Sequence, residues 1–441
     1  MTTEVTPVQR VPFNVVDEVV RLLDTETEPW SIQLELEVAA GLDEARLRDS
    51  LAQALARHPM ARARKAPTGR RRERQYQWEI TPEPEVDPLR ALTCPDEEAL
   101  ATARAELLNR SVPLAESPPL RVWWARREGG DVLMVNANHA AMDGFGTVRF
   151  VQSLARAYAG QPDPLPDVDP NEARNVGAVV GTDDTPTRLR RAWLLAEKAR
   201  DAAVPPSRIA PDGQADRAGY GFVQDSLSEE RTRRLVEEDR PGTVNDAMVA
   251  ALHLAIAGWN DEHGTPAGRI GVMVPVNVRP PGWQQEVVGN LLLPVRVTTR
   301  RADRSSPRAA LEAVARQTRK MKEGGTGGAL IEVLGRSPSF PLSVKEATSP
   351  ALRLLGNRLA DTALLSNLGE LEPLSFGEAG PTTALWFSAP ARMPLGLSVG
   401  VVTTGGRLFT VLRYRHPLFG DQAARRFADR YLAAIDEVMS V

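Results

Sequence analysis

NHAAMDGFG, residues 138–146, follows the apolar run DVLMVNA and precedes TVRFVQSLARAYAG. The run before it has the length and content of a strand. After it, Val148, Val151, Ala155 and Tyr158 recur at helical spacing, with Gly160 near the end. The nonapeptide is therefore a strand-to-helix junction, a place where a side chain can be presented to a cleft. His139 stands at the end of the strand, four residues before Asp143 and Gly144. A neutral imidazole of ordinary pKa suits a general base near pH 7. Asp143 is placed to hold the loop, and Gly144 relieves crowding or takes an unusual φ. The alternative is a plain loop in which His139 only bonds the backbone.

The flanks extend the pattern. Residues 120–126 and 131–137 read as two strands joined by Glu128-Gly129-Gly130, a hairpin signal. Upstream, SIQLELEV at 31–38 alternates Ile32, Leu34, Leu36 and Val38 with polar residues, which predicts a half-buried strand. Asp43 caps a helix with Leu47, Leu51, Ala54 and Leu55 on one side, ending at His58-Pro59. Another helix is expected near 96–109. Residues 161–220 turn Pro- and Asp-rich around a helix near 186–202, as expected of a connection. Beyond it, Thr243 caps an apolar helix at 244–259. RIGVMVPVNVR at 269–279 reads as a buried strand, and a long helix follows at 306–322. Strands at about 396–402 and 407–413 flank Thr403-Thr404-Gly405-Gly406, and a last helix starts at Asp421. The chain divides into a first unit at 1–165, a connection at 166–220 and a second unit at 221–441. Mixed strands and helices in both units predict an α/β fold, each unit a sheet covered by helices.

Composition removes other classes. The chain has 441 residues, one Cys and five His. Cys94 alone makes no internal disulfide and no thiolate-rich metal site, so no metal is expected, and a reducing, cytoplasmic setting is. With 54 Lys plus Arg against 57 Asp plus Glu, the balance is near neutral and shows no footprint for nucleic acid. Arg70-Arg71-Arg72 reads as a solvated turn. AMVAALHLAIAG at 247–258 is too short to span a bilayer and includes His253. GxSxG, the phosphate-binding GxxxxGK[ST], HExxH and GxGxxG are all missing, and GGTGG at 324–328 reads as a loop. Four histidines have structural readings. His58 ends a helix, His253 lies in an apolar helix, His263 sits in an exposed polar turn, and His416 ends a strand with no acidic neighbour. His139 is the one left for chemistry.

The motif HAAMDG resembles the HxxxDG signature of the chloramphenicol acetyltransferase-like superfamily, which includes nonribosomal peptide synthetase condensation domains and polyketide-associated acyltransferases. Further similarities follow in order: ALARHPMARAR at 54–64, TVNDAMVAALHLAI at 243–256, VPVNVRPP at 274–281, VVGN at 287–290 and LLSNLG at 364–369. One departure stands out: the family has His-His, whereas Asn138 precedes His139 here. The plant-type DFGWG motif is missing, with LSFGEAG at 374–380 a faint echo, which points to the bacterial condensation and polyketide-associated branch.

The resemblance implies two chloramphenicol acetyltransferase-like lobes with the active site in a tunnel between them. It implies a free-standing acyltransferase or condensation enzyme of natural-product or lipid biosynthesis. An acyl group would pass from a thioester, carried by coenzyme A or a phosphopantetheinyl carrier protein, to an alcohol or amine acceptor. No permanently bound cofactor is expected, and a monomer is. His139 would be the base and Asp143 would hold the loop, paired with Arg279. Asn367 or a backbone N–H would meet the oxyanion. Arg279, Asn367 and Trp386 are the expected substrate-side residues, with Phe387 and Met393 as further tunnel candidates or ordinary core. Two rivals remain: a non-catalytic condensation-like module that recruits a carrier protein or partner enzyme, and cyclisation or epimerisation in the same tunnel.

Overall fold

The computed structural model describes residues 9–68, 73–165, 168, 169, 172, 175, 176, 192, 196, 204–214, 216–283, 286–324, 341–348 and 360–441. The Arg70–Arg72 run, GGTGG after its first glycine and most of the helix expected near 186–202 lie outside them.

Two open mixed sheets form two lobes. The first lobe contains β1 (Gln9–Pro12), α1 (Val15–Leu23), β2 (Ser31–Val38), α2 (Glu44–Arg57), β3 (Ala63–Lys65), β4 (Gln77–Ile80) and β5 (Leu89–Thr93). It continues with α3 (Glu97–Asn109), β6 (Leu120–Arg126), β7 (Val132–Asn138) and α4 (Gly144–Ala159). The second contains β8 (Tyr220–Ser226), α5 (Glu229–Glu237), α6 (Val244–Glu262), β9 (Arg269–Asn277), β10 (Leu292–Arg300) and α7 (Pro307–Gly324). Strands β11 (Ala363–Leu371), β12 (Thr382–Ser388), β13 (Leu397–Thr404) and β14 (Arg407–Arg415) and helix α8 (Asp421–Met439) complete the chain.

The five-stranded sheet runs β12-β2-β7-β6-β5 and the six-stranded one β10-β9-β11-β13-β14-β8. A small sheet, β1-β4-β3, stands beside them. Among the described strands, one crosses the division at residue 221 to join the other half's sheet. β12, far along the second half, pairs antiparallel with β2 and closes the edge of the first sheet. No periodicity in 382–388 tells which sheet it joins, so this exchange had no sequence signal.

β2 differs from expectation. Three of its polar positions, Ser31, Gln33 and Glu35, are buried as well as its apolar ones, and Glu37 is half-buried. Leu34 and Leu36 pack into the core shared with α2 and α4. On the other face α3 covers the strand: Arg104 donates to both Glu35 oxygens at 2.6 Å, and Gln33 Nε2 donates to Leu108 O at 2.9 Å. Asn136 Nδ2, on the neighbouring strand, donates to Leu107 O and Arg110 O. These amides cap carbonyls at and just beyond the α3 C-terminus, where the helix's own N–H groups run out. The alternation was real, but its polar face meets a helix end rather than water.

The second core lies under α6, α7 and α8 and includes Met248, Leu252, Leu311, Val399, Leu412, Phe427 and Tyr431. Thr243 and Asp246 form a reciprocal cap at the start of α6. No helix among the described residues is long and apolar enough to cross a membrane.

Three histidines behave as structural groups. His253 is buried, with Nδ1 2.7 Å from Thr299 Oγ1. His263 is stacked on Trp259 rather than fully exposed. His58 Nε2 lies 2.7 Å from Ser153 Oγ. That hydroxyl donates to Asp163 Oδ2 at 2.6 Å and also receives Arg149 Nη1, so His58 must be the donor. Serine, histidine and aspartate meet here without nucleophilic geometry, since the serine hydroxyl donates its hydrogen bond to Asp163 and not to His58. His416 corrects an expectation: its Nδ1 lies 3.8 Å from Asp421, an acidic neighbour five residues on.

Burial lowers the pKa of His58 and of His253 to about 3. An unfolded histidine titrates near 6.5. The native state therefore binds fewer protons, and its stability drains away as pH falls from about 6.5 toward 3. Urea midpoints measured across that range should show the loss. His58→Gln, which keeps a donor for Ser153, should reduce the slope; an unchanged slope would mean that His58 is not held neutral.

Candidate active site

β7 ends at Asn138 and the chain turns through His139–Met142 into α4. The turn is held atom by atom. His139 N donates to Trp30 O at 3.1 Å, and Ala141 N donates to Asn138 O at 3.0 Å. Asn138 Oδ1 accepts from Ala140 N at 2.9 Å, while its Nδ2 donates to Asp24 Oδ2 and Val112 O. Asn138, the departure from the family pattern, thus ties the loop to two neighbouring segments.

Asp143 is the N-cap of α4 and is fully buried. Oδ1 accepts from Gly146 N at 2.8 Å and Arg279 Nη2 at 2.9 Å. Oδ2 accepts from Arg279 Nη1 at 2.9 Å and Leu291 N at 2.8 Å. Four donors occupy the four acceptor sites of the carboxylate, which leaves none for substrate. Arg279 also reaches Val287 O at 2.9 Å and Gly289 O at 3.2 Å, and its side chain has no exposed surface. The expected pairing with Asp143 is present. The expectation of Arg279 as a substrate contact is corrected: it is a closed-in clamp.

The clamp joins the lobes, because Asp143 belongs to the first and Arg279 to the second. The connection between β9 and β10 lies against the turn. Asp143 N donates to Gly289 O at 3.1 Å. A Cβ on Gly146 would lie 3.0 Å from Gly289 N, so the close approach calls for glycine. Gly144 has no positive φ. Its need is spatial: a Cβ there would stand 3.0 Å from Leu368 Cδ2 and 3.2 Å from Phe387. The LLSNLG strand is thereby placed against the start of α4.

His139 is half-buried. Its Nδ1 is buried and has no partner in hydrogen-bonding geometry among the described residues. Burial holds the imidazole pKa below its usual value, and the Asp143 charge works against that shift. A neutral ring with a lone pair to offer is the consequence.

The other expected residues are spread out. Asn367 is partly exposed on β11, and its Oδ1 accepts from Gly369 N at 2.8 Å across a bulge. Trp386 pairs in register with Glu35, donates from Nε1 to Glu37 at 3.3 Å and meets Phe409 edge-on. It lines a narrow interlobe cleft with Gln33, Glu35, Phe222 and Val411. Phe387 is core. Met393 N donates to Glu28. Among the described residues, no group of three or more His, Cys, Asp or Glu could hold a metal ion. Cys94 is buried, which pushes its thiol pKa up.

Sequence reasoning passed over Asn290 and Asp17. Asn290 stood inside VVGN with no role assigned. Asn14-x-x-Asp17 has the spacing of a reciprocal helix cap, which was the available signal for Asp17.

The Condensation domain family model matches residues 5–331. An uncharacterized protein of Mycobacterium tuberculosis strain H37Rv is 34% identical over 428 residues, covering 96% of this chain and 98% of its own length. Among solved structures, the first condensation domain of the calcium-dependent antibiotic synthetase, in complex with a substrate analogue, aligns with TM-score 0.74 at 14% identity. The alignment covers 98% of this chain and 97% of that one. The epimerization domain from the third module of tyrocidine synthetase B aligns at 0.69 and 15%, covering 99% and 97%. The condensation domain of the monacolin K polyketide synthase aligns at 0.70 and 12%, covering 98% of each.

The clamp predicts strong coupling. Asp143→Ala or Arg279→Ala each strands a buried charge and should cost about 3–5 kcal/mol in urea unfolding. The double variant should cost clearly less than the sum. Additive losses would show that the pair is not a unit.

Proposed function

The chain belongs to the condensation-domain family, and we propose that it is an acyltransferase of that family with His139 as general base. The donor is an acyl thioester on coenzyme A or on the phosphopantetheine arm of a carrier protein. The acceptor is an alcohol or an amine. The acceptor proton moves to His139 Nε2 as its oxygen or nitrogen attacks the thioester carbonyl. The C–S bond then breaks, and the protonated imidazole returns the proton to the leaving thiolate. The amide nitrogen of Asn367, or a neighbouring backbone N–H, stabilises the oxyanion. Asp143, Arg279 and Gly144 hold the loop. We read the protein as a cytoplasmic monomer acting in natural-product or lipid biosynthesis.

The observation that supports this reading best is the state of His139. It is half-buried, has no carboxylate bonded to its ring and sits at a strand-to-helix junction pinned from both lobes. Such a ring is kept neutral and kept in place, as a base requires. A module that only recruits partners has no use for that combination. The buried thiol of Cys94 is no competitor, so the sulfur of the reaction arrives with the donor.

The test is intact-mass detection of product after incubation with libraries of acyl-coenzyme A and acyl-carrier thioesters and candidate alcohols and amines. His139→Ala should lower turnover at least about tenfold while circular dichroism stays unchanged. Equal turnover in a folded variant would remove His139 as the base. Carrier binding without product from any thioester would favour the recruitment module. Inversion of a substrate centre without acyl transfer would favour epimerisation.

The lowered pKa of His139 sets the pH dependence. Because protonation is disfavoured in the folded state, the base stays competent below the usual histidine value. The acid limb of kcat/KM against pH should therefore lie below about 6.5. A limb at or above that value would contradict a desolvated base.

A further inference from the structure

We propose that Asn290 is a positioning residue for His139, with its own amide oriented by Asp17 of α1. The inference deepens the reading of His139 as the base and rests on it.

Asn290 is fully buried. Its Nδ2 lies 2.7 Å from His139 O, 2.8 Å from Ala140 O and 3.1 Å from Asp17 Oδ1. All three neighbours are oxygens, and two are backbone carbonyls that can only accept. A flipped amide would set Oδ1 against three oxygens, so nitrogen occupies this position on electrostatic grounds alone. Asn290 Oδ1 has no partner among the described residues. The side chain therefore gives its donors to the turn, at the cost of leaving its acceptor unmatched.

Asp17 makes this orientation obligatory. It is fully buried, and its Oδ2 accepts from Asn14 N at 3.0 Å and Trp78 Nε1 at 3.0 Å. Its Oδ1 faces Asn290, whose backbone oxygen in turn accepts from Asn14 Nδ2 at 3.0 Å. A line of contacts thus runs from Trp78 through Asp17 and Asn290 to the carbonyls of His139 and Ala140. Of the other charged groups at the turn, Asp143 and Arg279 are bonded to each other, and Asp24 accepts from Asn138 Nδ2.

The imidazole needs such a line. A histidine base is usually oriented by a bond to its second ring nitrogen. His139 Nδ1 has no partner in hydrogen-bonding geometry among the described residues, although Asn290 and the backbone of His139 and Met142 favour its protonated form. The backbone that bears the ring is gripped at N by Trp30 O and at O by Asn290. A small misplacement of a reacting group is costly, so the grip bears on turnover.

The experiment uses the full chain with histidine rings labelled with 15N, His139 being assigned by its loss in His139→Ala. Five histidines make the spectrum tractable. In Asn290→Ala, the His139 ring signals should broaden or split while the other four stay in place. In the same variant kcat should fall about tenfold or more, with KM little changed. Asp17→Asn touches no atom of His139. If its oxygen keeps Trp78 and Asn14, its new NH2 faces that of Asn290, and the His139 signals should move in the same sense.

Unchanged ring signals and unchanged kcat in folded variants would overturn the proposal. So would unfolding of both variants, which would make the contact a determinant of the fold only. The ring spectrum needs no substrate. If wild type transfers no acyl group while the variants still disturb the His139 ring, the acyltransferase reading fails and the positioning survives.

Discussion

Two charges removed from water at the junction of the lobes govern this molecule. Burying Asp143 and Arg279 carries a desolvation cost that only near-complete hydrogen bonding offsets. The carboxylate has four donors and the guanidinium reaches three backbone or side-chain oxygens besides. Few arrangements of two lobes satisfy so many bonds at once. The pair therefore acts less as a source of stability than as a specification. The cap of α4, the close approach of Gly146 to Gly289 and the course of the β9–β10 connection all have to agree with it.

That specification decides the electrostatics of the neighbouring ring. An aspartate four residues from a histidine would ordinarily raise the imidazole pKa by its charge. Here Asp143 does push it up, but burial outweighs that charge and the ring is held below its usual value. The fold thus separates two roles often combined in one carboxylate: Asp143 orders the loop, and His139 is left without an acidic partner bonded to its ring.

Legibility in the sequence followed the range of the interactions. Local ones could be read. The hairpin at Gly129-Gly130, the caps at Asp43 and Thr243 and the junction at His139 each depend on residues a few positions apart. So did the apolar face of α2. The pairing of Asp143 with Arg279 spans 136 positions and was accessible only through family resemblance. The role of Arg279 was misjudged for the same reason, since a sequence does not show how many carbonyls surround a guanidinium. The double burial of β2 needed knowledge of where α3 ends, and the exchange of β12 needed knowledge of which sheet edge was open.

The N-terminal helix was the least legible part of the site, and the reason is physical. α1 supplies no group that touches His139; it acts through an amide on a segment more than 270 positions away. Asp17 has a local explanation in its cap with Asn14, and a local explanation hides a distant one. A carboxylate that caps a helix with one oxygen still has another to orient a neighbour, and that second bond is where α1 enters the site. Buried acidic side chains on capping positions are therefore worth tracing outward from the helix they start, because their remaining acceptor must be met by something.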